Sequence, residues 1–195
     1  MKLRTVAALA ALPVVVAAQE RPFLPGDPLA KPSPIDLSFL NEKVAGEKGR
    51  IGLAKDGMSF VDGAGKPIRF WAVVTDVWQR SPEEMETPAR FLARQGVNMA
   101  RLHTQDTGGK DSPIDATDDK VIDGIRRWVS VAKRHGIYST ISPFWAHQKN
   151  AAKWGLPGYE KNEQDVYGLI FIEPKLEAAY RTWTRKLYAE PNLYT

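Results

Sequence analysis

Two segments of this chain repeat one pattern, an amphipathic helix followed by a glycine and an apolar strand. Residues 92–102 are LARQGVNMARL and residues 132–142 are AKRHGIYSTIS, so Gly96 and Gly136 lie 40 positions apart. A glycine just after a helix favours the left-handed turn that ends it. Helices that alternate with strands at this spacing predict an α/β fold with a parallel sheet.

The remaining elements fit the same alternation. The turn DGAGK at 62–66 predicts a β-hairpin, and its second arm, the apolar run Ile68 to Val74, is typical of a strand buried on both faces of a parallel sheet. Two segments further along have the apolar periodicity of amphipathic helices. Their predicted buried faces are Val121, Ile122, Ile125, Trp128, Val129 and Ala132 in the first, and Leu176, Ala179, Tyr180, Trp183 and Leu187, after Pro174, in the second.

Two possible helix starts lie upstream of Gly96. Thr87 followed by Pro88 predicts an N-cap and a first helical position, so a short helix fits 88–95. Ser81 and Glu84 have the spacing of a capping box, which we interpret as opening a separate turn.

The first residues have the pattern of an export signal. Lys2 and Arg4 precede an apolar run that ends in small residues, so we predict a signal peptide at 1–18 and a secreted or periplasmic protein with no membrane attachment after cleavage. An uncleaved lipid-facing anchor is the alternative. Residues 19–48 are predicted to be a proline-rich linker and a lead-in segment, with a short helix in IDLSFLNEKV at 35–44.

Composition excludes several classes of function. Without Lys2 and Arg4, the 27 basic residues fall to 25 against 23 acidic ones, a net charge of +2 that is too small to indicate nucleic-acid binding. The chain has no cysteine, which excludes disulfides, thiol catalysis and thiolate-bound metals.

The region 49–195 is short for the architecture that the pattern indicates. It holds 147 residues and three predicted parallel strands, whereas an eight-unit barrel takes about 250 residues. We therefore expect an incomplete TIM (β/α)8 barrel, with about three β/α units preceded by a β-hairpin. A complete small doubly wound domain is the alternative, but no glycine-rich phosphate loop follows any strand.

Three ordered phrases carry a resemblance to a known family. FVDGAGKPIRFWAVV, GVNMARLH and HGIYSTISPFW resemble the N-terminal part of the (β/α)8 glycoside hydrolases related to cellulases and β-mannanases, the family 5-like enzymes of clan A. The resemblance runs from about Gly57 to the last residue. It implies a secreted glycosidase that cleaves β-linked polysaccharide such as glucan or mannan by a retaining mechanism.

That mechanism uses two glutamates, which the resemblance places at the ends of barrel strands four and seven, beyond Thr195. The chain would then be an inactive N-terminal fragment that carries supporting and substrate-binding residues. Asn-Glu pairs at 41–42 and 162–163 are not expected to be the strand-four pair, because neither follows a predicted barrel strand.

Arg101 and His103 are the predicted supporting residues. The resemblance implies that Arg101 donates to the nucleophile and keeps it ionised, and a guanidinium fork independently suits a carboxylate. Arg101 could instead pair with a structural acid, Asp76 or Asp106. We interpret His103 as a ligand of a sugar hydroxyl, or as a hydrogen-bond partner of a residue that binds such a hydroxyl. We predict no metal and no cofactor, because the sequence offers too few ligands for a metal site.

A second group of residues is predicted to bind substrate, because they lie at or after strand ends. Flat aromatic rings suit the apolar faces of pyranoses, and neighbouring polar groups suit hydroxyls; burial of each ring beneath its own loop is the alternative. Trp128 and Trp183 are instead predicted to be core residues. The predicted substrate-binding residues are Asp76, Trp78, Asp106, Phe144, Trp145, His147 and Trp154.

Two other functions are alternatives to the hydrolase. A non-catalytic carbohydrate-binding or cell-surface protein on a degenerate barrel would keep the aromatic loops and lack the carboxylates. A metal-dependent barrel hydrolase is disfavoured, because the first predicted strand, PIRFWAVV, lacks the paired histidines that such sites use.

Overall fold

The structure, a computed structural model, describes residues 35–103, 107–109, 111–144, 151–159, 166 and 168–195. In these ranges the fold is mixed α/β, with three α-helices and two three-stranded sheets and no closed barrel. The predicted signal peptide and the proline-rich linker up to residue 34 lie outside the described residues. Among the described residues, no helix combines the length and the apolarity that crossing a bilayer requires.

The first sheet is small and antiparallel. It consists of β1 (Gly52–Leu53), β2 (Phe60–Val61) and β3 (Pro67–Ile68) in that order. The hairpin predicted around DGAGK is confirmed, since the Asp62 N–H donates to the Lys66 carbonyl at 2.8 Å. The Lys66 N–H in turn donates to Oδ1 of Asp62, and this bond holds the pKa of Asp62 below its usual range.

The second sheet is the parallel sheet that the repeated pattern predicts. Its strands β4 (Ala72–Thr75), β5 (Met99–Leu102) and β6 (Tyr138–Ile141) lie side by side in chain order. Each is followed by a helix, namely α1 (Pro82–Arg94), α2 (Asp119–Arg134) and α3 (Pro174–Tyr188). Parallel strands that run in chain order with helices between them place all three carboxyl ends on one edge of the sheet.

The prediction of one strand from Ile68 to Val74, buried on both faces, is wrong. The chain leaves the first sheet after Ile68 and enters the second at Ala72. The side chain of Asn98 holds this crossover, because its Oδ1 accepts from the Trp71 N–H at 2.7 Å and its Nδ2 donates to the Arg69 carbonyl at 2.8 Å. One face of β4 is open, and Val74 on that face is 63% exposed.

Helix α1 begins at the earlier of the two possible starts, the one marked by Ser81. Ser81 is the N-cap, and the capping box is complete: the Ser81 hydroxyl accepts from the Glu84 N–H while the Glu84 carboxylate accepts from the Ser81 N–H. Thr87 as an N-cap is therefore wrong, and Pro88 lies inside the helix. A proline there removes one helical hydrogen bond, and the capped first turn compensates in part.

Helices α2 and α3 agree with their predicted faces. Asp118 caps α2 by accepting from the N–H groups of Lys120 and Val121, and Gly136 ends the segment at φ +71°. Trp128 and Trp183 are fully buried, which confirms both as core residues. In α2 the predicted face is buried except for the half-buried Val129, and in α3 it is buried except for the half-buried Tyr180.

The buried side chains form two apolar clusters. The first lies between the parallel sheet and the first two helices and includes Met85, Ala100, Leu102, Ile125 and Trp128. The second joins the segment 151–159 to α3 and includes Trp154, Leu156, Val166, Leu176 and Trp183. Helix α3 links the two, because its Leu187 belongs to the first cluster.

The lead-in segment, residues 35–48, packs under the amino ends of the parallel strands. A 3₁₀-helix at Ser38–Leu40 stands where a short helix was predicted. The N–H groups of Leu37 and Ala45 each donate at 2.9 Å, to the carbonyls of Arg94 at the end of α1 and Lys133 at the end of α2. Asn41 donates to the Val97 carbonyl at 2.7 Å, so the Asn41–Glu42 pair lies at the opposite end of the strands from their carboxyl edge.

Candidate functional site

A cavity of about 700 Å³ opens at the carboxyl edge of the parallel sheet. It starts where β5 and β6 end and is closed on its other side by α3 and the 3₁₀-helix Leu169–Phe171 that precedes it. Its lining combines polar side chains with aromatic rings. The polar ones are Arg101, His103, Ser142 and Glu177, and the rings are Phe144, Phe171 and Tyr180.

Arg101 reaches this cavity from the open face of the sheet. Alternation along β5 buries Ala100 and Leu102 under the helices and turns Arg101 to the other face, where it is exposed. Although Arg101 lies within an apolar run of sequence, its side chain is therefore not buried. The Arg101 Nε donates to the Ser142 hydroxyl at 3.0 Å, which orients the planar guanidinium.

Asp76, one of the two acids expected as partners of Arg101, does not pair with it in the described part of the chain. Asp76 follows β4 and is exposed, and no ion pair joins it to Arg101 within the described ranges. Asp106 lies outside the described residues, as do two other predicted substrate-binding residues, Trp145 and His147. The pairing of Arg101 with Asp106 stays a prediction.

His103 follows β5 directly and lies on the cavity wall, where its side chain is exposed. This placement fits contact with a ligand hydroxyl. Within the described ranges, no group of three or more His, Asp or Glu side chains converges as metal ligands. His135 is the C-cap residue of α2 and interacts with Glu86 away from the cavity.

Phe144 is the predicted substrate-binding ring that the structure places in the cavity wall. It is half-buried and stacks on Trp183, with ring centroids 5.3 Å apart and planes inclined by 14°. Because Trp183 is fully buried, this stacking fixes the position of Phe144 in the cavity wall. Phe171, which also lines the cavity, is 85% exposed.

Trp154, which was predicted to bind substrate, is buried and does not line the cavity. Its side chain is only 4% exposed and belongs to the second apolar cluster. The indole N–H donates to the Ser112 carbonyl at 3.1 Å, which satisfies its one polar group within the protein. The segment 151–159 has an apolar centre of its own, and Trp154 fills it instead of facing a ligand.

Trp78 and Asp76 do not line the cavity. Trp78 packs against the first apolar cluster and, with Gln79, borders a separate depression of about 720 Å³ beside the start of α2. Its backbone lies so close to α2 that a Cβ on Gly124 would overlap the Trp78 carbonyl oxygen. Asp76 and Trp78 both follow β4, whereas the described residues that line the cavity come from the ends of β5 and β6 and from α3 and the 3₁₀-helix before it.

Glu177 is a cavity residue that the sequence patterns did not reveal. It lies in the first turn of α3, three residues before Tyr180, and its Oε1 accepts from Arg181 through Nε at 3.1 Å and Nη2 at 2.6 Å. The position of Glu177 at the start of a helix could have indicated this place. A helix that follows a parallel strand starts near that strand's carboxyl end, so the first turn of α3 belongs at this edge of the sheet.

The chain matches no protein-family model, and no curated protein matches it. What it does must therefore be inferred from the cavity and the residues that line it.

Proposed function

We propose that this chain is the N-terminal part of a secreted (β/α)8 glycoside hydrolase acting on β-linked polysaccharide such as glucan or mannan, and that the strand-end cavity is part of its substrate cleft. The observation that carries the proposal is the lining of that cavity. Polar Arg101 and His103, at and just after the end of β5, line the same cavity as the aromatic rings of Phe144, Phe171 and Tyr180.

The position of the cavity supports this proposal. In (β/α)8 enzymes, active sites form at the carboxyl ends of the strands. The three parallel strands run in chain order with a helix after each, as in the first three units of such a barrel. The antiparallel β1–β3 sheet precedes β4, as expected of a barrel that is preceded by a β-hairpin.

The chemistry of the lining suits a sugar. The cavity volume of about 700 Å³ lies within the range of small-ligand pockets. Aromatic rings offer flat apolar faces to the axial C–H bonds of a pyranose, while Arg101, His103 and Ser142 offer hydrogen bonds to hydroxyls. Phe171 is exposed enough to pack on a ring without displacing other side chains.

Turnover needs more than this cavity supplies in the described residues. Retaining hydrolysis takes two carboxyl groups about 5 to 5.5 Å apart. Among the described lining residues one carboxylate is present, Glu177, and Arg181 pairs with it. We therefore expect the 195-residue chain to bind oligosaccharide without cleaving it. The same observation favours the second candidate, a non-catalytic carbohydrate-binding protein.

Calorimetric titration of the chain with β-glucan and β-mannan oligosaccharides tests the proposal. Phe171→Ala should weaken binding by about tenfold, because a stacked ring contributes roughly 1–1.5 kcal/mol. Phe39→Ala is the matched control, since Phe39 is similarly exposed but lies in the lead-in segment at the other end of the strands.

The outcomes separate the possibilities. Binding that Phe171→Ala weakens and Phe39→Ala does not would support the cavity as a saccharide site. Absence of binding to both polysaccharide types would overturn the proposal. Release of reducing ends by the chain alone would contradict the expectation of binding without turnover and would require a second carboxylate in the cleft.

A further inference from the structure

We propose that the depression beside the start of α2 is a second saccharide-binding site, separate from the strand-end cavity, and that it holds a neutral β-linked chain against Trp78. This inference rests on the proposed function, because it places the same class of ligand at another part of the surface. The two places share no lining residue among those that the structure describes. The depression is formed by the loop after β4 and the first half of α2.

The depression has the size and the mixed lining of a ligand site. Its volume is about 720 Å³, which lies within the range of small-ligand pockets. One aromatic residue, Trp78, lies among polar ones. The polar lining residues are Gln79, Asp119, Lys120, Asp123 and Arg127. An aromatic ring among hydrogen-bonding groups suits a pyranose, because the sugar has an apolar C–H face and a rim of hydroxyls.

Trp78 is held firmly against α2 before any ligand arrives. It is half-buried and packs against the first apolar cluster. A Cβ on Gly124 would lie only 2.1 Å from the Trp78 carbonyl oxygen, so glycine at 124 permits this close approach. Nη1 of Arg127 donates to the Arg80 carbonyl at 3.0 Å and ties the end of the same loop to α2. A ring that is already in place costs less conformational entropy on binding.

The charges around the depression balance one another and favour a neutral ligand. Two acidic and two basic side chains line it. Asp123 is already engaged, because its Oδ2 lies 3.0 Å from Nε of Arg127 and its Oδ1 accepts from the Tyr194 hydroxyl at 2.6 Å. A charged ligand would meet a like charge as well as an opposite one. Sugar hydroxyls can instead donate to Asp119 and accept from Lys120, which are both exposed.

The position of the depression suits a long substrate. Helix α2 is the helix that follows β5, so its start lies toward the carboxyl edge of the sheet, where the strand-end cavity opens. A polysaccharide that occupies both places is held by two linked contacts. Its overall affinity should therefore exceed that of a short oligosaccharide, which reaches only one of them.

Fluorine NMR of the 195-residue chain labelled with fluorotryptophan locates the second site. The chain has six tryptophans, and Trp78→Phe identifies the Trp78 resonance as the one that disappears. We expect a β-linked tetrasaccharide of glucose or of mannose to shift that resonance until it saturates. Trp71, identified in the same way, is the matched control. It is 67% exposed but lies at the amino end of β4, so its resonance should keep its position.

Gln79→Ala tests the site without disturbing the packed ring. Gln79 is exposed, and its loss should raise the dissociation constant read from the Trp78 resonance by about fivefold, because one hydrogen bond to the saccharide is removed. Gln95→Ala is the matched control, since Gln95 is also exposed but is the C-cap of α1. Circular dichroism checks that each variant is folded. If Trp78→Phe does not fold, calorimetry on Gln79→Ala and Gln95→Ala decides instead.

The outcomes separate this inference from the proposed function. A Trp78 resonance that does not shift, together with saccharide binding that Phe171→Ala weakens, would overturn the second site and leave the cavity standing. A shift that Phe171→Ala abolishes would also overturn the second site, because one site would then explain both effects. A shift that saturates equally in Phe171→Ala would support it. Binding at neither place would overturn both proposals.

Discussion

The hydroxyl of Tyr138 donates a 2.6 Å hydrogen bond to Oε2 of Glu42, joining the first residue of β6 to the lead-in segment. The same hydroxyl accepts from the Gly46 N–H at 3.0 Å. Partial burial and the neighbouring Glu42 carboxylate together raise the pKa of Tyr138 to about 12. Both effects disfavour the ionised form, and this contact therefore holds only while the phenol keeps its proton.

The raised pKa makes folding sensitive to alkali. The folded-state pKa lies above the ordinary tyrosine value of 10.0, so the contribution of Tyr138 to stability is complete below pH 10 and is lost as the pH rises toward 12. We expect the free energy of unfolding, measured by urea titration, to fall over this range. The fall should be smaller in Tyr138→Phe.

Tyr194 provides the comparison for that experiment. Its hydroxyl donates to Asp123 at 2.6 Å, and this bond raises the pKa of Tyr194 as well. Some alkaline loss should therefore remain in Tyr138→Phe and decrease further in the double variant with Tyr194→Phe. An unchanged pH profile in Tyr138→Phe would mean that the contact with Glu42 does not form in solution.

Gly136 should tolerate no side chain. It has φ +71°, and a Cβ there would overlap the carbonyl oxygen of Glu42. Gly158 has a similar φ of +80° but open space around it, so Gly158→Ala measures backbone strain alone, about 1–2 kcal/mol. We expect Gly136→Ala to cost about 2 kcal/mol more than that. Equal losses in urea unfolding would argue against close packing of the lead-in segment.

The start of α1 can be tested at two hydroxyls. Ser81→Ala removes the acceptor of the Glu84 N–H and should destabilise the protein by about 1 kcal/mol. Thr87→Ala lies within the helix at an exposed position, and we expect a change of less than about 0.5 kcal/mol or a slight gain, since alanine is the better helix former. The reverse order in thermal or urea unfolding would restore Thr87 as the N-cap.

Two buried tryptophans differ in how their indole N–H groups are satisfied. Trp154 donates to the Ser112 carbonyl at 3.1 Å, whereas the Trp183 N–H has no acceptor among the described residues. Replacing each with phenylalanine removes the same atoms, so Trp154→Phe should cost about 1 kcal/mol more, from the lost hydrogen bond. Trp154→Phe should also leave oligosaccharide affinity unchanged, and a clear loss of affinity would return Trp154 to the binding site.

The parts of the fold that the sequence predicted correctly are those specified by local chemistry. The apolar spacing in α2 depends only on the helical period, and the turns at Gly96 and Gly136 depend on a backbone angle that glycine adopts most easily. The hairpin around Asp62 is fixed by hydrogen bonds within five residues. Each of these features is visible in a short window of sequence.

The features that sequence patterns missed depend on distant residues. The crossover after Ile68 is held by Asn98, whose role cannot be seen from the apolar run itself. Trp154 followed a predicted strand as a binding residue would, and only the packing of α3 against its segment shows that it is buried. In the sequence Glu177 resembles any exposed helical acid, and only the structure shows that it lines the same cavity as Arg101.

The contacts of the lead-in segment also set an order of events during synthesis. Asn41 bonds a residue 56 positions later, Gly46 one 92 positions later, and Glu42 one 96 positions later. At about 5–20 residues per second, the ribosome makes Tyr138 roughly 5–20 s after Glu42. The lead-in segment is therefore translated first among the described elements, but it completes its native contacts only after β6 has been translated.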